Sequence, residues 1–308
     1  MQAEHYNGLI AVWKERGYTS HDVVAKLRGI LHQKRIGHTG TLDPQAEGVL
    51  AVGLGLGTKT FDLLPDHWKT YEAEVTFGVQ TDTEDIWGTI LQTQDVSYTP
   101  EQIRQAICAF EGTYNQVPPM YSAKKIDGKK LYQLAREGKI VERKAVPVTL
   151  KDIEVLSVTG NKARFLVTCS AGTYIRTLCV DIGKTLGCEA CMSSLTRVMA
   201  GGFSKGQALT LDEIKALVDD NRLEERIITI DSALGHFPKV LASNEFEKQL
   251  KNGNAISVHA VSRLPEGAID TCVRLYLNEN GGDSEFIGVY RLDGDSHLLK
   301  PVKIFYRN

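Results

Sequence analysis

The sequence predicts a mixed α/β domain followed by a small β-rich domain, with the boundary near residue 235 (domains 1–235 and 236–308). Three observations carry this. Strand-like and helix-like apolar patterns interleave up to about residue 226. The helical stretches open on capping signals. From about His236 onward, strand patterns are split by Gly-Gly and Asp-Gly turns. The chain has 308 residues, 42% of them hydrophobic and 24% charged. That is length for about two domains and ordinary globular usage, which excludes a disordered, collagenous or fibrous protein.

Taken in order, Gly8–Trp13 is a short apolar strand. Ser20 and Asp22 then precede VVAKLRGIL, whose apolar residues recur at helical spacing after a plausible N-cap. Gly48–Leu54 and Thr70–Gly78 are strands, the second alternating apolar with β-branched residues. Thr99 and Pro100 open a helix running to about Phe110, because proline is suited to the first helical position. Asn115–Gly128 holds two prolines and lacks periodicity, so it is a loop, and Lys129–Glu137 is a short basic helix ended by Gly138. Strands at about 147–158 and 162–169, a helix at 174–186 and a strand at 190–199 follow. Ala200–Ala208 is a glycine-rich loop before a polar helical stretch at 210–226.

Long uncharged runs such as Gly48–Thr58 and Phe165–Ile175 reach only about half of the ~20 residues a membrane span needs. The opening MQAEHYNG lacks the basic-then-apolar pattern of a signal peptide, so a cytoplasmic protein is expected. Six cysteines in such a chain are read as reduced thiols. Net charge is −2, which taken alone argues mildly against nucleic acid. The average hides a contrast, however. Tyr121–Lys151 carries nine Lys or Arg against three Asp or Glu, whereas Leu211–Ala233 carries three against seven. Such a basic patch can hold phosphates, although a solvated helix and turn fits the charges too.

Two motifs mislead. Gly53–Lys59 resembles a phosphate loop, but Lys59 does not directly follow the last glycine. Cys188 and Cys191 form half a zinc signature without a second pair, so they are read as buried structural thiols and no metal is expected. The informative segment is Gly37-His38-Thr39-Gly40-Thr41-Leu42-Asp43-Pro44. Its glycines permit unusual backbone angles and Pro44 pushes Asp43 out of the helical region, giving a stiff turn that presents a carboxylate and an imidazole. An isolated Asp-Pro is more often a turn cap. Arg176, however, falls in the first turn of a helix, where the macrodipole disfavours a cation. It is better explained by pairing with a carboxylate from elsewhere, though a plain surface cation remains an alternative. Pairing would also keep that carboxylate ionised, which suits a nucleophile.

These residues resemble the signature of bacterial tRNA pseudouridine synthases of the TruB type. The likeness runs from Tyr18–Val24 through Gly37–Leu50, Thr58-Lys59, Lys69–Glu72 and Thr81–Asp85. It continues through Gln116–Ala123, Gly128–Tyr132, Gly172–Thr177 and Leu195–Arg197, covering roughly residues 7–235. One departure is Glu15 after Lys14, where the family usually has Lys-Pro. The tail, with Lys251–Ala255, Phe286–Val289 and Leu299–Val302, is similar to a PUA-type RNA-binding domain.

The resemblance implies a mixed, largely antiparallel central sheet flanked by helices, plus a small PUA-like C-terminal domain. It implies isomerisation of uridine to pseudouridine at position 55, in the TψC loop of tRNA, with the base flipped out of its stack. Asp43 would be the nucleophile, in a reaction that needs no redox step, no metal and no cofactor. Tyr71 would stack on the base, with removal of the C5 proton a further role open to it, Arg176 would pair with Asp43, Tyr174 and Leu195 would line the pocket, and His38 would help hold the flipped RNA. Lys59, Lys129, Lys130 and Arg197 are the expected RNA contacts. A tRNA stem-loop would be the partner of a monomer with no obligate protein partner and no membrane. Alternatives are a chaperone that remodels tRNA, alone or in addition to catalysis, and a guide-RNA-dependent relative acting on ribosomal RNA.

Overall fold

The computed structural model describes residues 5–65, 68–122, 124–126, 128–139, 141–264, 271–278 and 284–306. Strand β1 (Gly8–Lys14) leads through a turn into helix α1 (Ser20–Ile30), then β2 (Ile36–Thr39) and β3 (Glu47–Leu54). The cap of α1 is Thr19, one residue before the expected Ser20. Thr19 and Asp22 satisfy one another's backbone N–H groups, which frees Ser20 to reach the turn that carries Asp43. β4 (Lys69–Phe77) precedes a hairpin of β5 (Val79–Thr81) and β6 (Ile90–Thr93). Helix α2 (Pro100–Cys108) is capped by Thr99 with Gln102, and proline stands at its start as the sequence predicts.

β7 (Gly112–Gln116) is followed by the two-residue strands β8 (Lys125–Ile126) and β9 (Lys129–Lys130) and the short helix α3 (Leu131–Arg136). Next come β10 (Val146–Thr159), β11 (Lys162–Cys169), α4 (Ile175–Leu186), β12 (Ala190–Ala200) and β13 (Phe203–Ser204). Gly187, in the left-handed region at φ 76°, ends α4. The remaining elements are α5 (Leu211–Asp219), α6 (Ile230–Ala233), β14 (Lys239–Ala242), α7 (Glu247–Lys251), β15 (Ile256–Ser257), β16 (Cys272–Asn278), β17 (Ser284–Asp293) and β18 (Leu298–Ile304).

The large sheet runs β1-β3-β12-β4-β11-β10-β7, with β2 on β3 and β13 on β12. Its pairs are antiparallel apart from β12 with β3, which makes it mixed and largely antiparallel. Alternation in β4 turns Tyr71, Ala73, Val75 and Phe77 towards α2 and α4, forming the main core with Ile103, Ile107, Leu178 and Ile182. At the other end, β1 and β3 pack Val12, Leu50 and Val52 against Val23 and Leu27 of α1 and Ile214 of α5. The second sheet, β14-β16-β17-β18-β15, has its own core around Val240, Leu250, Val273, Leu275 and Ile287.

The two sheets are joined by more than chain continuity. Leu56, Ile230 and Leu234 share a buried cluster with Val289 and Phe305. Polar ties surround it: Lys59 Nζ donates to the Ile304 carbonyl at 2.9 Å, Lys303 meets Asp62 at 2.9 Å, and Arg274 meets Asp231 at 2.7 Å. Length alone suggests that residues 1–235 fold independently, but this shared cluster makes the C-terminal sheet part of their cover. A chain ending at Gly235 should therefore fold yet lose at least about 1.5–3 kcal/mol, the cost of uncovering one large aliphatic side chain. Urea unfolding of the two chains checks this, and equal midpoints would show that the junction adds no stability.

Candidate active site

Asp43 lies in the turn between β2 and β3, and three residues of the β1–α1 region fix that turn from behind. Ser20 Oγ accepts from the Leu42 N–H at 3.0 Å, and the Gly17 N–H donates to the Pro44 carbonyl at 2.8 Å. Lys14, fully buried, donates from Nζ to the carbonyls of Ala46 (2.5 Å), Glu15 (3.1 Å) and Pro44 (3.3 Å). An ammonium has three N–H bonds, so three carbonyls match it. Burial pushes Lys14 down to about 8, against the attraction of Asp43.

Arg176 approaches from the opposite side. Its Nε meets Asp43 Oδ2 at 2.9 Å and its Nη2 is 3.4 Å from Oδ1, while Nη1 and Nη2 donate to the carbonyls of Thr83 (2.9 Å) and Tyr121 (2.8 Å). The arginine side chain is 7% exposed and the aspartate 42%, so the cation is the buried anchor and the carboxylate the presented group. Helix α4 starts without a side-chain cap of its own. Gln116, fully buried, supplies the substitute: its amide accepts from the Tyr174 N–H at 2.8 Å and donates to the Tyr174 carbonyl at 3.1 Å. That grip sets the helix start and with it the direction of Arg176.

Asp43, Tyr71, Tyr174, Arg176 and Leu195 line one cleft of about 680 Å³, the size class of small-ligand sites. Tyr71 is 7% exposed; burial pushes its phenol up, and the Arg197 guanidinium opposes this. Trp87, Tyr132 and Arg136 also reach this cleft, and sequence reasoning does not single out their side chains. Asp85 lines it too, its carboxyl raised by burial and lowered by Thr83 and Arg176.

The remaining expected residues lie elsewhere. His38 sits on β2, half-buried beside His21 with ring centroids 6.0 Å apart, and its buried Nδ1 has no hydrogen-bond partner among the described residues. Burial lowers its pKa, and His21 and Arg197 lower it further. Lys59 turns its ammonium to Ile304. Lys129 is exposed on β9, directly before α3, while the side chain of Lys130 lies outside the described residues. Arg197 requires a correction as an RNA contact. It is fully buried, with Nε donating to the Val49 carbonyl at 2.8 Å, so no phosphate can reach it. Gly48 explains its depth: a Cβ there would lie 2.2 Å from the Arg197 carbonyl oxygen, so only glycine lets β12 run so close to β3.

Cys188 and Cys191 are free and buried, and burial raises both thiols. Among the described residues no group of three or more His, Cys, Asp or Glu could hold a metal ion. Nor is any described helix long and apolar enough to cross a membrane.

Comparison with known proteins agrees with this architecture. The sequence model of the TruB family pseudouridylate synthase N-terminal domain matches residues 28–175, and that of the tRNA pseudouridylate synthase B C-terminal domain matches residues 176–235. Curated relatives called tRNA pseudouridine synthase B include those of Alkaliphilus oremlandii, 43% identical, with 97% of each chain covered, and Lachnoclostridium phytofermentans, 44% identical, covering 97% of this chain and 99% of the relative. Among solved structures, the chain is similar to one from a Cbf5-Nop10-Gar1 complex, with TM-score 0.71 and 26% identity over 97% of this chain and 85% of that one. A chain from an archaeal box H/ACA Nop10-Cbf5 complex has TM-score 0.70 at 24% identity over 98% and 87%, which supports the fold.

Two outcomes test the geometry. Arg176→Lys should lower kcat at least 100-fold despite the retained charge, because one ammonium cannot span a carboxylate and two carbonyls held by a planar fork. Turnover at the wild-type rate would make Arg176 a mere cation. As pH rises through about 8, Lys14 loses its proton and one of its three carbonyls loses a donor. Its folded pKa lies below the free value of 10.5, so its penalty on folding is full below pH 8 and fades towards pH 10.5. Stability thus gains from this group while the turn loosens. The rate should fall with a midpoint near 8, a limb missing from the Lys14→Met profile. A wild-type rate flat well above pH 8 would show that the charge is not needed.

Proposed function

This chain belongs to the TruB family of pseudouridylate synthases and is an isomerase that converts uridine to pseudouridine in tRNA; from that premise we propose that Asp43 is its nucleophile and uridine 55 of the TψC loop its target. The single observation that carries the assignment is a carboxylate presented into an apolar-walled cleft by a buried arginine. Isomerisation breaks the C1′–N1 bond and joins C1′ to C5 of the same uracil. The C5 proton leaves, and N1 ends with a proton in its place, so no redox partner is consumed. Attack of Asp43 on C6 of the base and attack on C1′ of the sugar both suit a carboxylate at this place.

The cleft requires its base unstacked, and Tyr71, Tyr174 and Leu195 offer walls that offset the unstacking cost of a few kcal/mol. Burial keeps the Tyr71 phenol protonated, which favours a stacking role. Taking the C5 proton would need the phenolate, a form that Arg197 favours and burial opposes. The exposed Lys129 and the helix α3, whose Tyr132 and Arg136 reach the cleft, make the basic segment the natural contact for phosphates around the target.

Residues 236–308 would act as a PUA-like RNA-binding domain beside a catalytic domain of residues 1–235. With nine Lys or Arg against nine Asp or Glu, the C-terminal part would bind by shape and a few specific contacts. The enzyme would work in the cytoplasm as a monomer.

Asp43→Asn keeps size and polarity but removes the nucleophile. It should abolish tritium release from C5-labelled uridine in a tRNA transcript while affinity changes little, with the target uridine replaced by cytidine as control. Activity within about tenfold of wild type would sink the assignment.

A further inference from the structure

We propose that Trp87, with Arg16 beside it, forms a second base-binding step at the rim of the cleft, on which an unpaired nucleotide adjacent to the target uridine stacks. This rests on the reading of the Asp43 cleft as the active site. Trp87 is 40% exposed and lines that same cleft, and the Arg16 guanidinium stands 5.9 Å from the centre of its ring. An indole left this open forgoes the burial that large aromatic side chains otherwise gain, so its position needs a cause.

The backbone shows that the display is built rather than slack. The Ile86 N–H donates to the Met192 carbonyl at 2.8 Å and the Trp87 N–H to Asp85 Oδ1 at 3.2 Å. Thr83 Oγ1 donates to the same Asp85 oxygen at 2.7 Å, and the Thr89 N–H to Asp82 Oδ1 at 2.7 Å. Gly88 closes the turn, since a Cβ there would lie 2.2 Å from Thr83 Oγ1 and 2.5 Å from Asp82 Oδ1. The Thr83 carbonyl is also an acceptor for Arg176, so the segment that displays the indole is tied to the anchor of the nucleophile.

The chemistry selects a nucleobase as occupant. Extracting one base from a stack leaves the faces of its neighbours bare, and an aromatic ring at the rim restores a stacking surface to one of them. Guanidinium planes both stack on bases and pair with phosphates, which suits Arg16 to the same nucleotide. Stacking of this kind tolerates any base identity, so the step would select for an unpaired flank rather than for a sequence.

The test pairs protein variants with altered RNA. Stem-loop RNAs lacking the base immediately 5′ or 3′ of the target are assayed with wild type, Trp87→Ala and Trp87→Phe, and Asp43→Asn is run alongside. On intact RNA, Trp87→Ala should lower kcat/KM about tenfold, mostly through KM, and Trp87→Phe should keep most of the activity. Removing the base on one flank should cost wild type a similar factor and cost Trp87→Ala almost nothing. If the protein and RNA changes multiply on both flanks, or Trp87→Ala acts normally on intact RNA, the step does not exist. Should Trp87→Ala misfold, as thermal melting would show, Trp87→Leu, which keeps apolar bulk but offers no ring to stack on, takes its place in the same comparison with the two abasic RNAs and must show the same loss. Activity in Asp43→Asn would overturn the reading of the cleft itself, a failure separate from that of Trp87.

Discussion

The pairing of Arg176 with Asp43 is the interaction on which the rest of the structure turns. A planar cation with five N–H donors reaches both oxygens of the aspartate and two backbone carbonyls, those of Thr83 and Tyr121. Those acceptors belong to three separate stretches of chain. Holding them requires helix α4 to start at a fixed place, which the Gln116 amide secures, and the aspartate turn to stay still, which Lys14 and Ser20 secure. A buried charge with fewer partners would be costly, so the anchor and its surroundings stabilise one another.

Around this pair, charge is graded by depth. Arg197 lies fully buried behind the site, Arg176 nearly so, and Asp43 is open to the cleft. The Arg197 guanidinium lowers the pKa of His38 and of Lys14 and counters the effect of burial on Tyr71. Arg176 and the buried Lys14, both of which attract the Asp43 carboxylate, form with Arg197 behind them a fixed field that needs no rearrangement when charge shifts, the general means by which enzymes stabilise transition states.

Much of this was legible in the residues. Capping signals located α2, and period-two alternation located β4, because its two faces meet different environments. The strand β2 escapes notice, since its four residues lie inside a glycine-containing segment that reads as a turn. The β5–β6 hairpin escapes for another reason: all four residues of β6 are exposed, so no burial pattern marks it. Asp43 and Arg176 stand out by their chemistry and by family resemblance. Lys14, Gln116 and the depth of Arg197 do not, because a buried polar residue is defined by partners distant in sequence. Gln116 lies in a stretch that reads as a loop, and its partner is 58 residues away.

The Arg274 side chain gives the junction between the sheets a mechanical character. It donates to the Phe237 carbonyl at 2.9 Å and to the Asp231 carboxylate at 2.7 Å, and the Tyr276 hydroxyl shares that carboxylate. The connecting segment is thereby clamped at both ends against β16. The spacing of the two sheets in this structure is thus set by these polar contacts together with the shared apolar cluster. For an RNA that reached both sheets, that spacing would make overall dimensions a criterion of selection alongside the chemistry of any single nucleotide.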